Sequence, residues 1–384
     1  MKTIIKNIKI ITPNLILDNH KIVINNNIIE AILNNNENDP LVDKVIDGKN
    51  QYLSPGFIDI HNHGNSGFDT MDATFKALSK MADYHLNNGV TSFLAATMTN
   101  PTENIIKASS NVAEYIKQQN ENTSKLLGIY LEGPFFNAIK KGAQPLKDIK
   151  NPNIEELKEF ITASNKNIIA VSLAPELPNA LDMIHFLLVN NIKSAIGHSN
   201  ATYDEAKKAI DIGSTISTHL YNGMKSFSHR EPSIIGACLT SDSLYTELIC
   251  DGVHLHKTAI DIAKRCKGKN KIILISDAMR AAGLPNGEYE LGGQKVISKD
   301  GEARLTDGAL AGSTLNLNLA VKNMINLFDT DLLDAINMAS INPAKAIGYD
   351  KSIGSIEVGK IADLLLIDES VNIKHIIKNG KQIK

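Results

Sequence analysis

Hydrophobic and polar positions change rhythm twice along the chain. The first fifty residues are short β-branched runs, Thr3–Ile11, Lys21–Ile24, Ile28–Leu33 and Val42–Asp47. Asn and Asp clusters such as Asn25-Asn26-Asn27 separate them, as turn formers do. The last thirty residues read alike. Ile361–Ile367 and Ile373–Ile377 are strand-like, and Asn379-Gly380 is a hairpin signal. Two β-rich ends around a different middle predict one small β domain, expected as a β-sandwich, from residues 1–54 plus 355–384.

The middle, residues 55–354, alternates apolar runs with helical patterns. Eight runs read as strands: Gly56–His61, Val90–Thr97, Leu126–Leu131, Ile168–Leu173, Lys193–Gly197, Thr215–Thr218, Thr246–Asp251 and Ile272–Ser276. Between them lie segments of helical period, Thr74–Leu86, Glu103–Gln118, Ile154–Ala163, Ala180–Val189, Asp204–Ile210 and Lys257–Arg265. Alternating β and α units predict a parallel sheet, and eight of them suit a closed (β/α)8 TIM-like barrel in an α/β fold. An open doubly wound sheet is the alternative architecture.

Composition narrows the classes. The 384 residues carry 40 Lys+Arg against 42 Asp+Glu, a net charge of −2, so no electrostatic case exists for nucleic acid or an anionic membrane surface. No apolar run approaches the ~18 residues of a spanning helix. Met1-Lys-Thr-Ile-Ile-Lys leads into no apolar signal region, and a cytoplasmic location is expected. Cys238, Cys250 and Cys266 are odd in number and lack metal-pair spacing, so they are expected as reduced thiols. A dinucleotide-binding glycine fingerprint, a P-loop and a Gly-x-Ser-x-Gly elbow are all missing from the sequence.

In a (β/α)8 barrel, chemistry sits at the C-terminal ends of the strands. Here those ends carry His61-Asn-His63, Glu132, His198, His219, Asp251 and Asp277. Residues i and i+2 on a strand share a face, roughly 6.6 Å apart, so His61 and His63 can chelate one ion. A lone His-x-His is more often incidental; followed by ligand-type residues at later strand ends it reads as a metal site. Imidazole and carboxylate suit Zn or Fe better than Mg or Ca. Glu132, His198 and His219 make a three-ligand set that leaves a position open for water. Asp277 reads either as a helix cap or as a general base. His254 and His256 form a second His-x-His, expected in a loop that meets substrate.

With those residues in view, the chain resembles the amidohydrolase superfamily and, within it, the N-acetylglucosamine-6-phosphate deacetylase family. The resembling stretches include Pro55-Gly-Phe-Ile-Asp-Ile-His-Asn-His-Gly64, Leu131-Glu-Gly-Pro-Phe-Phe-Asn137 and Gly197-His-Ser199. They continue with Thr218-His-Leu-Tyr-Asn-Gly-Met224, Ile249-Cys-Asp-Gly-Val-His254, Ser276-Asp-Ala-Met279 and Leu310-Ala-Gly-Ser313. The resemblance implies metal-dependent hydrolysis of the acetamide of N-acetyl-D-glucosamine 6-phosphate in amino-sugar catabolism. N-acetylgalactosamine 6-phosphate is the alternative substrate, and another cyclic or linear amide a broader one.

The resemblance also implies one or two divalent transition ions, Zn or Fe, per subunit of a homodimer. Glu132, His198 and His219 would be ligands, with Asp277 as general acid/base. The intact His61 and His63 add a second ion bridged by Glu132. Substrate positions carried over are Ala143, Asn222, Gly223, Leu310, Ala311 and Gly312. Arg230 and His254 would hold the 6-phosphate, a contact that can come from the neighbouring subunit. Two departures stand out: Gly223 replaces the usual alanine, and Gln144 replaces a histidine of some members.

Overall fold

The computed structural model describes residues 1–383. Four strands open the chain: β1 (Lys2–Ile11), β2 (Ile16–Asn25), β3 (Ile28–Asn34) and β4 (Lys44–Pro55). The barrel strands follow as β5 (Phe57–Asn62), β6 (Val90–Ala96), β7 (Lys125–Glu132), β8 (Ile168–Leu173), β9 (Lys193–Ile196), β10 (Ser214–Ser217), β11 (Tyr245–Ile249) and β12 (Ile272–Ile275). Each predicted barrel strand is present, within one or two residues at either end. All eight join one parallel sheet in chain order, β5 to β12.

The first and last strands close the ring through their ends. Asp277 N–H donates to the His61 carbonyl at 2.9 Å, and His63 N–H to that of Ala278 at 3.0 Å. Asn62 Nδ2 also donates to Ser276 Oγ at 3.1 Å. This seam lies on the rim that carries the histidines.

Helices α1 (Phe75–Asn87), α2 (Thr102–Gln118), α3 (Ile154–Ala163), α4 (Ala180–Val189) and α5 (Tyr203–Ile212) alternate with the strands. Their starts follow capping chemistry. Thr74 accepts from Ala77 N–H, and Thr202 with Glu205 forms a reciprocal capping box. Helix α1 buries Leu78, Met81, Ala82 and Leu86, a stripe at helical spacing. These faces and the strands share one core.

Further along come α6 (Ser233–Thr240), α7 (Lys257–Lys267), α8 (Leu317–Asn326), α9 (Leu332–Met338) and α10 (Ile341–Ile347). Helix α6 was not expected. Its Ser-Ile-Ile-Gly-Ala-Cys-Leu is buried on almost every side, so it shows no polar stripe.

Strands β13 (Gly287–Leu291), β14 (Gln294–Lys299) and β15 (Glu302–Leu305) form a small antiparallel sheet, also unexpected. A two-residue turn, Gly292-Gly293, joins the first pair, with φ of 57° and 76°. That turn needs positive φ at both positions, which glycine supplies without strain. The little sheet packs Leu291, Val296, Ala303 and Leu305 against Met98, Met279 and Ala311.

The C-terminal strands β16 (Leu364–Ile367), β17 (Ile373–Lys378) and β18 (Lys381–Gln382) return to the start of the chain. They extend the N-terminal strands into one seven-stranded sheet, ordered β18-β17-β16-β4-β1-β2-β3. The two termini thus share one β layer, as expected, and it takes the form of a single continuous sheet. Its inner face, including Ile5, Ile10, Ile22, Ile24, Leu53, Leu364 and Leu366, encloses a separate apolar core. The far edge meets the chain before β16 through an Ile28–Ile361 bridge, so the sheet curls around that core.

Candidate active site

The site is built on strand ends. His61 is on β5 and His63 just past it; Glu132 is the last residue of β7. His198, His219 and Asp277 each lie two residues beyond their strands, with φ of 44°, 25° and 47°. Left-handed backbone at non-glycine residues costs about 1–3 kcal/mol each and is retained where the surroundings over-determine it. Here each strand hooks at its end.

Six side chains converge. Glu132 Oε1 lies 3.2 Å from His198 Nε2, 3.1 Å from His219 Nε2 and 3.6 Å from His61 Nε2. Glu132 Oε2 lies 3.1 Å from His63 Nε2. His198 Nε2 and His219 Nε2 are 3.1 Å apart. Asp277 Oδ1 stands 3.3 Å from His63 Nε2 and 3.5 Å from His61 Nε2. All six are buried.

These atoms fit a metal. Donors about 2.0–2.1 Å from a tetrahedral ion stand roughly 3.3 Å from one another. Glu132, His198 and His219 meet that spacing, and His61, His63 and Glu132 form a second group whose ligand atoms lie within 4.8 Å of one another, so Glu132 belongs to both. His61 Nε2 and Asp277 Oδ1 are buried without a hydrogen-bond partner. Such orphaned atoms are costly unless a cation engages them.

The site's field also favours positive charge. Burial opposes protonation of His63, yet Asp277 and Glu132 outweigh it and push the imidazole up to about 10. His61 is held well above its ordinary value against its burial, by Glu247 and Glu132. Burial would raise Glu132, but the imidazoles hold its carboxyl well below the usual range. A metal ion displaces such protons when it binds, so affinity rises with pH.

Above the cluster is a cleft of about 220 Å³. His63, Glu132, His198, His219 and Asp277 form its floor. Of the positions expected to meet substrate, Ala143, Asn222, Gly223, His254, Leu310 and Gly312 line it. Gly223 has φ of 60°, and a Cβ there would stand 2.8 Å from His198 Nδ1. Glycine lets this loop approach the histidine, where alanine would require a shift. His254 is held by Asp251: Nδ1 to Oδ2 is 2.6 Å, and Oδ1 accepts the N–H groups of Val253 and His254 at 2.8 Å each.

Three residues expected to meet substrate do not line the cleft. Ala311 is buried in the apolar cluster of Met98 and Met279, of which Met98 reaches the cleft. Arg230 is solvent-exposed on the chain after Met224. His256 caps α7 by accepting from Thr258 N–H, and takes no part in the cleft.

Three polar supports carry roles that the sequence reading, which placed Asp251 only at a strand end and Gln144 only as a departure from the family, did not assign. Gln144 Nε2 donates to Glu132 Oε2 at 2.8 Å, while its own carbonyl accepts from Thr99 N–H at 2.9 Å. Glu247, on β11, accepts from His61 Nδ1 and from His219 N–H. Asp251 orients His254. For Glu247 a signal existed: a carboxylate inside an apolar strand run.

The amidohydrolase family model matches residues 52–383. The chain belongs to the amidohydrolase family. It is 40% identical over 331 residues to an N-acetylglucosamine-6-phosphate deacetylase of Vibrio furnissii, covering 86% of this chain and 82% of that protein. It is 38% identical over 365 residues to an N-acetylgalactosamine-6-phosphate deacetylase of Escherichia coli O157:H7, covering 95% of each. Among solved structures, N-acetylglucosamine-6-phosphate deacetylase from Pasteurella multocida superposes with a TM-score of 0.94 at 32% identity. That match covers 100% of this chain and 99% of the other. No helix among the described residues is long and apolar enough to cross a membrane.

Proposed function

We propose that this amidohydrolase removes the acetyl group of N-acetyl-D-glucosamine 6-phosphate, giving D-glucosamine 6-phosphate and acetate in amino-sugar catabolism. The observation that carries the reading is Glu132, whose two oxygens face two histidine pairs beneath a cleft that also holds Asp277. The relatives named above supply the substrate class.

His198, His219 and Glu132 would hold one divalent transition ion, zinc or iron, and His61, His63 and Glu132 a second. When bound, such an ion supplies Lewis acidity, polarising the amide carbonyl and acidifying the attacking water. The chain's own groups do the rest. Asp277 Oδ1, the carboxylate oxygen facing His61 and His63, takes the proton of the attacking water. It returns that proton to the glucosamine nitrogen as the C–N bond breaks. Burial keeps bulk water from competing for this proton. Gln144 and the histidines fix Glu132 so that its two oxygens keep their separate directions.

Asn222, Gly223 and Leu310 shape the sugar pocket, and His254, fixed by Asp251, presents its free ring edge to it. Arg230 reaches the 6-phosphate of the neighbouring subunit of a homodimer, which accounts for its distance from the cleft of its own chain. The enzyme works in the cytoplasm. The galacto epimer is the second reading, favoured by the full-length likeness to the Escherichia coli protein.

The test is acetate release by purified protein on both hexosamine phosphates and on free N-acetylglucosamine, with metal content measured on the same sample. Turnover is expected to be fastest on N-acetylglucosamine 6-phosphate. A preference for the free sugar would overturn the phosphate reading, and full activity without metal would overturn the mechanism.

A further inference from the structure

We infer that Glu247 is the positioning residue that makes the His61/His63 pair a working second metal site. This rests on the metal-dependent reading above and deepens it. Glu247 is fully buried on β11, in the wall of the barrel. Its Oε2 accepts from His61 Nδ1 at 3.1 Å and from the backbone N–H of His219 at 3.0 Å.

A carboxylate can only accept, so the proton between the two groups sits on His61 Nδ1. In the neutral form that binds a metal, that choice leaves Nε2 as the lone-pair nitrogen. Nε2 is the atom that faces Glu132 and Asp277 with no hydrogen-bond partner. The Tyr130 ring stacks on the imidazole at 4.5 Å, which fixes its plane. Carboxylate, imidazole and cation site therefore stand in series, an arrangement that orients a ligating histidine and raises its basicity.

The other three histidines lack this support. His198 Nδ1 meets the neutral carbonyl of Lys140 at 2.9 Å. The Nδ1 atoms of His63 and His219 have no partner. Of these four histidines, only His61 is backed through Nδ1 by a carboxylate among the described residues.

Charge points the same way. Glu132, Asp277 and Glu247 are three buried carboxylates whose ion-pair partners, among the described residues, are histidines alone. One divalent ion leaves this cluster with excess negative charge. A second ion, sharing Glu132, offsets it. The second oxygen of Glu247 is buried without a partner, a state that an adjacent positive charge relieves. Through the His219 N–H the same carboxylate touches both halves, so it ties the two sites into one unit.

The deciding experiment strips the protein of metal and reloads it with Zn²⁺ or Co²⁺, reading stoichiometry by elemental analysis and affinity by competition with a chromogenic chelator. Wild type should bind two ions per chain. Glu247→Gln keeps an oxygen for both N–H donors and removes only the charge. It should hold the first ion and bind the second at least ~10-fold more weakly. Glu247→Leu, which removes the acceptor too, should lose the second ion outright. If the leucine variant does not fold, the glutamine variant still decides. Two ions bound by Glu247→Gln with wild-type affinity, or a single ion in saturated wild type, would overturn the role. Acetate release is scored separately: a wild type that holds two ions but releases no acetate would defeat the deacetylase reading and leave that of Glu247 intact.

Discussion

The floor and the wall of the cleft are built differently. The floor residues are set by strand ends, almost wholly buried, and cross-bonded to one another through Glu132. The wall comes from loops. It includes the turn at Ala143, the glycine at 223, the segment at Leu310 and the small β13–β15 sheet, tied to it where Gln294 Nε2 donates to the Ala143 carbonyl at 2.6 Å. Arg230 lies outside it altogether. A barrel rim fixes a reaction centre mainly through its strand ends, with loop support limited to contacts such as Gln144 to Glu132 and the Lys140 carbonyl to His198. Recognition is assigned to parts that can change without disturbing the chemistry. Substitutions in the floor should therefore abolish turnover on any amide, and those in the wall should discriminate between substrates.

Asp277→Asn probes that contrast most severely. The amide cannot shuttle a proton, so turnover should fall by ~10²–10⁴-fold on phosphorylated and free sugar alike. Elemental analysis should find the metal retained. A wild-type rate would remove Asp277 from the mechanism.

Arg230→Ala should behave in the opposite manner. Loss of a guanidinium–phosphate contact should slow the phosphorylated sugar on the order of 30-fold and leave the free sugar nearly unchanged. Mixing Arg230→Ala with Asp277→Asn subunits should recover activity, because a hybrid dimer pairs an intact floor with an intact arginine. Failure to recover would place Arg230 within its own chain's site. Equal losses on both sugars would make it a structural residue.

The smallest effect separates scaffold from site. His85, on α1, is buried against the Phe93 ring, and burial pushes its imidazole down to about 3. Its folded value lies below its unfolded value of ~6.5, so its neutral form is favoured by folding. That stability is complete above pH 6.5 and lost as pH falls toward 3. At pH 5 the wild type should have lost about 2 kcal/mol relative to His85→Leu. Melting curves from pH 8 to 5 should diverge on the acid side; parallel curves would refute the assignment.

The same contrast decides what could be read in the sequence. The strands were legible because a barrel strand is apolar on both faces, and its end is announced by the first polar residue. The polar residues there were also the candidates for chemistry: Glu132 after Gly-Ile-Tyr-Leu as a ligand, and Asp277 after Ile-Leu-Ile-Ser as a general base. The loops offered no period. Helix α6 hid because burial erased its polar stripe, and β13–β15 because its short strands fall in an insertion between the last barrel strand and α8. Glu247 was passed over because a charged residue within a strand usually faces water. In a closed barrel the other face is the interior, and only the closed ring shows that. The place proposed for Arg230, at the site of a neighbouring subunit, involves a second chain, on which one chain's pattern is silent.

The seam between β5 and β12 has a kinetic consequence. Asn62 and Ser276 are 214 residues apart in sequence, and their contact closes the ring. Contacts of that separation carry a large loop-closure entropy and come late in folding. His61 and His63 stand on one side of the join and Asp277 on the other. A nascent chain thus keeps Asp277 away from His61 and His63 until the last strand docks. An ion shared across the join would act as a clasp, slowing the opening of the ring more than it speeds the closing.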